Sequence, residues 1–346
     1  MNNIKKNTIS KMFVLNVLLI FAMLILVVLP FIGIKNIPIN AIIQPPFDSV
    51  DFDIYWNIRV PRVCISFLAG SGLALSGMVF QAMFRNPIAT PFTLGIASGA
   101  SLGTAIYVQS GFTFWILGIS GISIFAFLGA ILSIFLVYGL SIIKRGFSTT
   151  TMLLAGVAIS FFFSSLILFI QYISDFTQSF HIIRWLMGRL DILGFEPVFN
   201  MAPFVITGSI IIFYLSHELN LMTSGEDIAI SRGVDTGKIK KILFFATSLM
   251  VGGVVAICGP IGFVGMISPH ICRLLIGTDH RYLAPVTFLF GGIFLTLCDT
   301  VARTLIAPTE IPVGIITALL GGPFFIWLLL GKNSIDRKST SSSNTP

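Results

Sequence analysis

The sequence predicts an all-α integral membrane protein that crosses the bilayer about ten times with both termini in the cytoplasm. Three observations predict it. Hydrophobic residues make up 55% of the 346 positions and charged residues 10%, and the mean hydropathy is +0.96. A soluble domain carries about 25% charged residues, so this chain lacks the charge to cover a soluble globule and is equally unlike a disordered chain. Its apolar residues gather in runs near the ~20 residues that cross a bilayer upright. Finally, with the N-terminus inside, fifteen of the 21 Lys and Arg residues fall in cytoplasmic segments and six outside, as the positive-inside rule requires. The same asymmetry explains the net charge of +7 without nucleic acid, and no aromatic-studded basic patch argues for that partner.

The first run, Met12 to Ile34, follows Lys5, Lys6 and Lys11. It is longer than a signal-peptide core and no small-residue cleavage site follows, so it reads as an uncleaved first span. Residues 35–57, with Pro38, Pro45, Pro46, Asp48, Asp51 and Asp53, read as an exposed connection. Further runs lie at 60–83, 92–108, 113–140, 149–172, 198–216, 241–258, 262–277, 282–305 and 312–330. The run 262–277 holds Pro269 and His270 and reads as a half-helix buried in the bundle, where broken helices are tolerated. Spans 2–5 and 7–10 start from opposite sides, which leaves open an inverted repeat. Residues 1–330 read as one transmembrane domain. The tail 331–346, rich in Lys, Arg, Ser and Thr, reads as a disordered cytoplasmic end.

Few residues carry candidate chemistry. Gly95, Gly99 and Gly103 fall four apart, as do small residues around Gly70 to Gly77, and such stripes let helix backbones approach closely. Cys64, Cys258, Cys272 and Cys298 form no CxxC pair or Cys/His cluster and read as small buried hydrophobes. Arg59, Arg62 and Arg303 sit at outer span ends, against the charge bias. They read either as snorkelling anchors or as forks for an external partner's carboxylates. Asp299, inside a span, reads either as a proton-relay group or as the ion-pair partner of Arg303 one turn away. The loop 217–241 carries Ser224, Gly225, Glu226, Asp227, Arg232 and Gly233. Ser224 is placed to cap a short helix and Gly233 to end it. No phosphate-binding loop is present: around Gly237-Lys238, Arg232 and Ile239 stand where Gly and Ser/Thr are needed. No catalytic or metal-ligand constellation is found, and no cofactor is expected.

Several motifs in order resemble the FecCD-type permeases, the membrane subunits of ABC importers for iron–siderophore, haem and vitamin B12. They are Arg59-Val60-Pro61-Arg62, Ser76-Gly77, Arg85-Asn86-Pro87-Ile88-Ala89, Leu94-Gly95 and Gly259-Pro260-Ile261-Gly262-Phe263-Val264-Gly265. Pro269-His270, Asp279-His280-Arg281, Glu310-Ile311-Pro312 and Gly322-Pro323-Phe324 complete the set. The resemblance spans about residues 55–330. It implies a type II importer permease in a bacterial or archaeal cytoplasmic membrane. Implied partners are a second, identical or paralogous, permease, two ATPase subunits and an extracytoplasmic binding protein. Carried over by motif, Arg59, Arg62 and Arg303 would grip that binding protein. Ser224 to Gly233 would couple to the ATPase. Asn86, Ile88, Ser148, Thr149 and Thr150 would lie near a cytoplasmic gate. The coupling segment departs from the family's pattern, with Ser224-Gly225-Glu226 and Arg232-Gly233-Val234 where Leu-Gly-Glu and Leu-Gly-Val are usual. The expected cargo is an iron–siderophore; vitamin B12 or haem import, a proton-coupled carrier using Asp299 or His270, and a membrane-embedded enzyme are the alternatives.

Overall fold

The computed structural model describes residues 2–39, 49–116, 118–143 and 149–341. Pro45, Pro46, Asp48, Lys144, Arg145 and Ser148 therefore lie outside the described residues. Seven helices are long and apolar enough to cross a membrane. They are α1 (Asn2–Val28), α2 (Val50–Phe84), α4 (Gly121–Ile143), α5 (Thr149–Ile173), α7 (Glu196–Tyr214), α10 (Thr236–Cys258) and α12 (His280–Thr304). The other expected spans are shorter or differently bounded. α3 runs Ile96–Ser110 and α11 Val264–Ile276. At 1.5 Å per residue, α11 covers about 20 Å, less than a ~30 Å hydrocarbon core, which fits the half-helix reading. α13 runs Val313–Ser341. Its backbone continues past Gly331, where the sequence reading ends ordered structure. No proline or glycine interrupts 332–341, so nothing there stops a helix.

Two local features depart from the sequence reading. The expected span 113–140 is split: Gly111 and Gly118 have positive φ, and a short antiparallel hairpin, Trp115–Ile116 with Ile119–Ser120, precedes α4. The connection 35–57 is helical from Val50, where Ser49 caps the helix by accepting from the Phe52 N–H. The turn Ile54–Arg59 of α2 is π-helical.

The bundle is built around α2, α10 and α12, which are 83%, 67% and 61% buried over their most apolar stretches, against 17% for α1 and 22% for α5. Small residues set their spacing. A Cβ at Gly77 would fall on the carbonyl oxygen of Gly265, and one at Gly70 on that of Gly291. The stripe on α3 does the same against α4, through Gly99 on Gly129 and Gly103 on Phe125. Close packing is therefore what both stripes do. Phe13, Ile20, Met23, Phe161, Phe169 and Tyr172 stay exposed on α1 and α5, an apolar surface suited to lipid or a neighbouring subunit.

Candidate functional site: a charge cluster, two uncharged cavities and a two-helix loop

The three sequence-predicted arginines come together at one end of the bundle, but they point inward. Arg59, Arg62 and Arg303 are only 5–6% exposed. Arg62 donates through Nε and Nη2 to the Asp299 carboxylate at 3.0–3.1 Å, and through Nη1 to Glu310 Oε2 at 2.7 Å. Asp299 is 1% exposed. Its ion-pair partner is Arg62 on α2, not Arg303 on its own helix as the spacing suggests. Arg59 donates to the carbonyls of Pro30, Phe31 and Lys35, and Arg303 to that of Leu29 at 2.8 Å. Together they bind the chain that follows α1, where the Leu29 carbonyl also accepts from the Ile32 N–H and the helix end carries partial negative charge. The proton-relay reading of Asp299 thus meets a carboxylate held by a bidentate guanidinium.

Below this cluster lie two cavities that share Leu186 and Pro260. One, about 540 Å³, is walled by Met187, Phe263, Ala318 and Leu319; the other, about 380 Å³, by Ser98, Ser101, Ser164 and Gln171. No charged side chain lines either. Leu186 is the last residue of α6 (Phe176–Leu186), a helix absent from the sequence reading. Its signal was present: Asp175 accepts from the Gln178 N–H at 2.7 Å and the Gln178 side chain accepts from the Asp175 N–H, a capping box. His270, after Pro269 in α11, packs edge-on to Phe324 of α13.

At the far end of α2, the loop forms α8 (Ser216–Ser224) and α9 (Glu226–Ser231). Gly225 joins them with φ +150°, a conformation that L side chains avoid. Ser224 does not cap α9; its hydroxyl donates back to the Asn220 carbonyl. Gly233 does end α9. Its N–H donates to Ile230 and the Val234 N–H to Ala229, a Schellman motif. Glu226 pairs with Lys240 on α10, while Asp227, Ile228, Ile230 and Arg232 are exposed. Arg85 ties α2 to this loop by donating to the Met222 carbonyl at 2.7 Å. Asn220 holds the start of α12: its Nδ2 donates to Asp279, and its Oδ1 accepts from the His280 N–H. Burial alone would raise the Asp279 carboxyl. The Asn220 amide, the Arg281 N–H and the charges of Arg281 and Lys11 outweigh it and hold the group below the usual carboxylate range.

Of the expected gate residues, Asn86 closes the reversal after α2 by accepting from the Ile88 N–H, and Ile88 is half exposed. Thr149 and Thr150 begin α5. No hydrogen bond joins the two pairs among the described residues. The turn Pro91–Leu94 does meet α5, where Gly156 lies against Leu94.

This arrangement, a Gly-knit helical bundle with two uncharged cavities and an exposed two-helix loop, has known relatives. A sequence model of the FecCD transport family matches residues 16–331. The chain belongs to the FecCD transport family. It is 34% identical over 315 residues to the hemin transport system permease protein HmuU of Yersinia pestis, covering 90% of this chain and 94% of that one. It is 39% identical over 278 residues to the vitamin B12 import system permease protein BtuC of Salmonella typhi, covering 80% and 83%. A solved structure described as an inward-facing conformation of a metal-chelate type ABC transporter superposes with TM-score 0.80 at 33% identity, over 91% of this chain and 99% of that one. The chain is an ABC importer permease of a cytoplasmic membrane, and not an enzyme. Such a permease works with ATPase subunits and with a partner permease or a substrate-binding protein.

Proposed function

We propose that this permease passes a metal chelate, an iron–siderophore, into the cytoplasm. It does so beside a second permease subunit, over two ATPase subunits, with an extracytoplasmic binding protein delivering the cargo. The observation that carries this reading is the pair of uncharged cavities that share Leu186 and Pro260. A bulky polar chelate needs a protein-lined route through hydrocarbon, and a wall without fixed charge holds it weakly enough to release. The exposed loop, with Asp227, Ile228, Ile230 and Arg232 outward, supports ATPase docking and coupling through Ser224 to Gly233. Ten spans with both termini inside remain part of this reading, with the Asn86–Ile88 turn and Thr149–Thr150 near the inner gate.

The arginine cluster takes a modified role. Arg59, Arg62 and Arg303 are engaged internally, so they shape the rim on which a binding-protein lobe rests, with half-exposed Glu310 at its edge. The test is uptake in vesicles holding the permease and its co-purified ATPase and binding protein. Ferric siderophores, hemin and cobalamin are offered in turn. ATP-dependent accumulation of a ferric siderophore supports the reading; uptake of only hemin or cobalamin reassigns the cargo; uptake driven by a proton gradient without ATP rejects it.

A further inference from the structure

At the loop end of the bundle a third cavity, about 360 Å³, opens between α2, α8, α11 and the start of α12. Its polar lining is Gln81, Thr223, Ser224, Arg273, Thr278 and His280, and no carboxylate lines it. Arg273 is the decisive residue. It is partly buried, and among the described residues no Asp or Glu oxygen lies within 4 Å of it. One Nη donates to the neutral Oε1 of Gln81. The Gln81 amide is itself fixed, because Nε2 donates to the Gly265 carbonyl at 3.2 Å. At the wall of this cavity the guanidinium faces no counter-ion, and with one hydrogen bond to Gln81 it has donors left over.

The surroundings match a phosphate-type anion. Arg forks pair bidentately with planar oxyanion edges. Thr223 and Ser224 donate to the Asn220 carbonyl and, being rotors, can turn to an anion in the cavity. Thr278, in the turn before α12, adds an exposed hydroxyl. Asp279 beside it is turned to other partners: it accepts from Asn220 and from the Arg281 N–H.

We propose that this cavity is an anion site for a phosphate group, held by Arg273 with the hydroxyls of Thr278, Thr223 and Ser224. Free phosphate and the phosphate of a lipid headgroup at the membrane surface present the same chemistry. Because its walls come from the bundle (Gln81, Arg273, His280) and from the loop helix (Thr223, Ser224), an occupied site stiffens the join between them. The proposal does not depend on the cargo.

The experiment uses the full-length permease in detergent, in phosphate-free buffer. Thermal unfolding is followed on titration with sodium phosphate against sodium chloride at equal ionic strength. The expected result is a saturable rise in unfolding temperature with phosphate only, as for any ligand that binds the folded state. Arg273→Gln should abolish the rise. Thr278→Glu places a carboxylate at the cavity and should raise the baseline while removing the response, so the proposal survives if Arg273→Gln folds poorly. A second arm compares phosphate-free nonionic detergent micelles with and without added phosphatidylglycerol. Stabilisation there, absent with free phosphate and lost in either variant, assigns the site to a lipid headgroup. No phosphate or phosphatidylglycerol effect on the native chain, or an effect that both variants keep, overturns the proposal. So does a result in which Arg273→Gln weakens only ATPase association, which makes the occupant a protein carboxylate.

Discussion

At one end of α2, Arg59 and Arg62 turn inward and meet carbonyls and carboxylates supplied by α1, α12 and the segment before α13. At the other end, the α8–α9 loop turns Asp227 and Arg232 outward, with only Glu226 tied back to Lys240. Both ends carry charged residues. What differs is the supply of counter-charges from elsewhere in the chain. Where Asp299, Glu310 and the carbonyls that follow α1 converge, arginine becomes part of the core. Where none converge, the charges stay on the surface.

The contrast is broken most severely at Asp299. Asp299→Leu leaves the buried Arg62 guanidinium with only the half-exposed Glu310 as a counter-charge, and removing one partner of a buried pair costs up to about 3–5 kcal/mol. Thermal unfolding in detergent should show it as the largest loss in this series, and the double variant Arg62→Met with Asp299→Leu should recover much of it. A single variant as stable as the parent would mean that the pair is not structural. Charge reversal at Arg62 should likewise damage the fold before it tests docking.

Arg303→Gln should cost less, about 1.5–3 kcal/mol for a hydrogen bond from a charged donor, because the Leu29 carbonyl keeps the Ile32 N–H. Proteolysis near the end of α1 is the sharper readout and should accelerate. At the loop end, Asp227→Ala and Arg232→Ala should stay within about 0.5 kcal/mol of the parent, as exposed substitutions do, yet lower the transport obtained per ATP hydrolysed. Unfolding as severe as at Asp299 would erase the distinction between the two ends.

The smallest effect concerns Asp279. Its carboxyl titrates below the usual range in the fold, against about 3.9 when unfolded. A depressed value stabilises above the unfolded pKa and is lost as pH falls through the folded one. Parent and Asp279→Asn should therefore differ at neutral pH and converge below about pH 4. A constant difference across that range would assign the effect to capping geometry instead of charge.

Much of this was legible in the chain. Apolar runs marked the long helices, because a bilayer demands length and apolarity that nothing else mimics. Gly99 and Gly103 announced close helix packing, and Gly233 announced a helix end. Asp175 and Gln178 could have announced α6. The identity of ion-pair partners was not legible. Arg62 and Asp299 are 237 residues apart, while local spacing pointed to Arg303, four residues from Asp299. Periodicity reports which face a residue occupies on its own helix; it carries nothing about which other helix arrives there. Glu310 had no role in the sequence reading for the same reason, and the Ser224 cap was displaced because Gly225 could take a turn that serine cannot.

The shared grip of Arg59 and Arg303 on the chain that follows α1 also sets an order of assembly. Arg59 follows Pro30 by 29 residues, so at about 5–20 residues per second the ribosome supplies it within a few seconds. Arg303 follows Leu29 by 274 residues, a wait of roughly 15–50 seconds at the same rate. Throughout that interval the first helix sits in the membrane with its end half-sealed. A chain that stalls or is cut before α12 lacks Arg303 and leaves the Leu29 carbonyl with the Ile32 N–H alone.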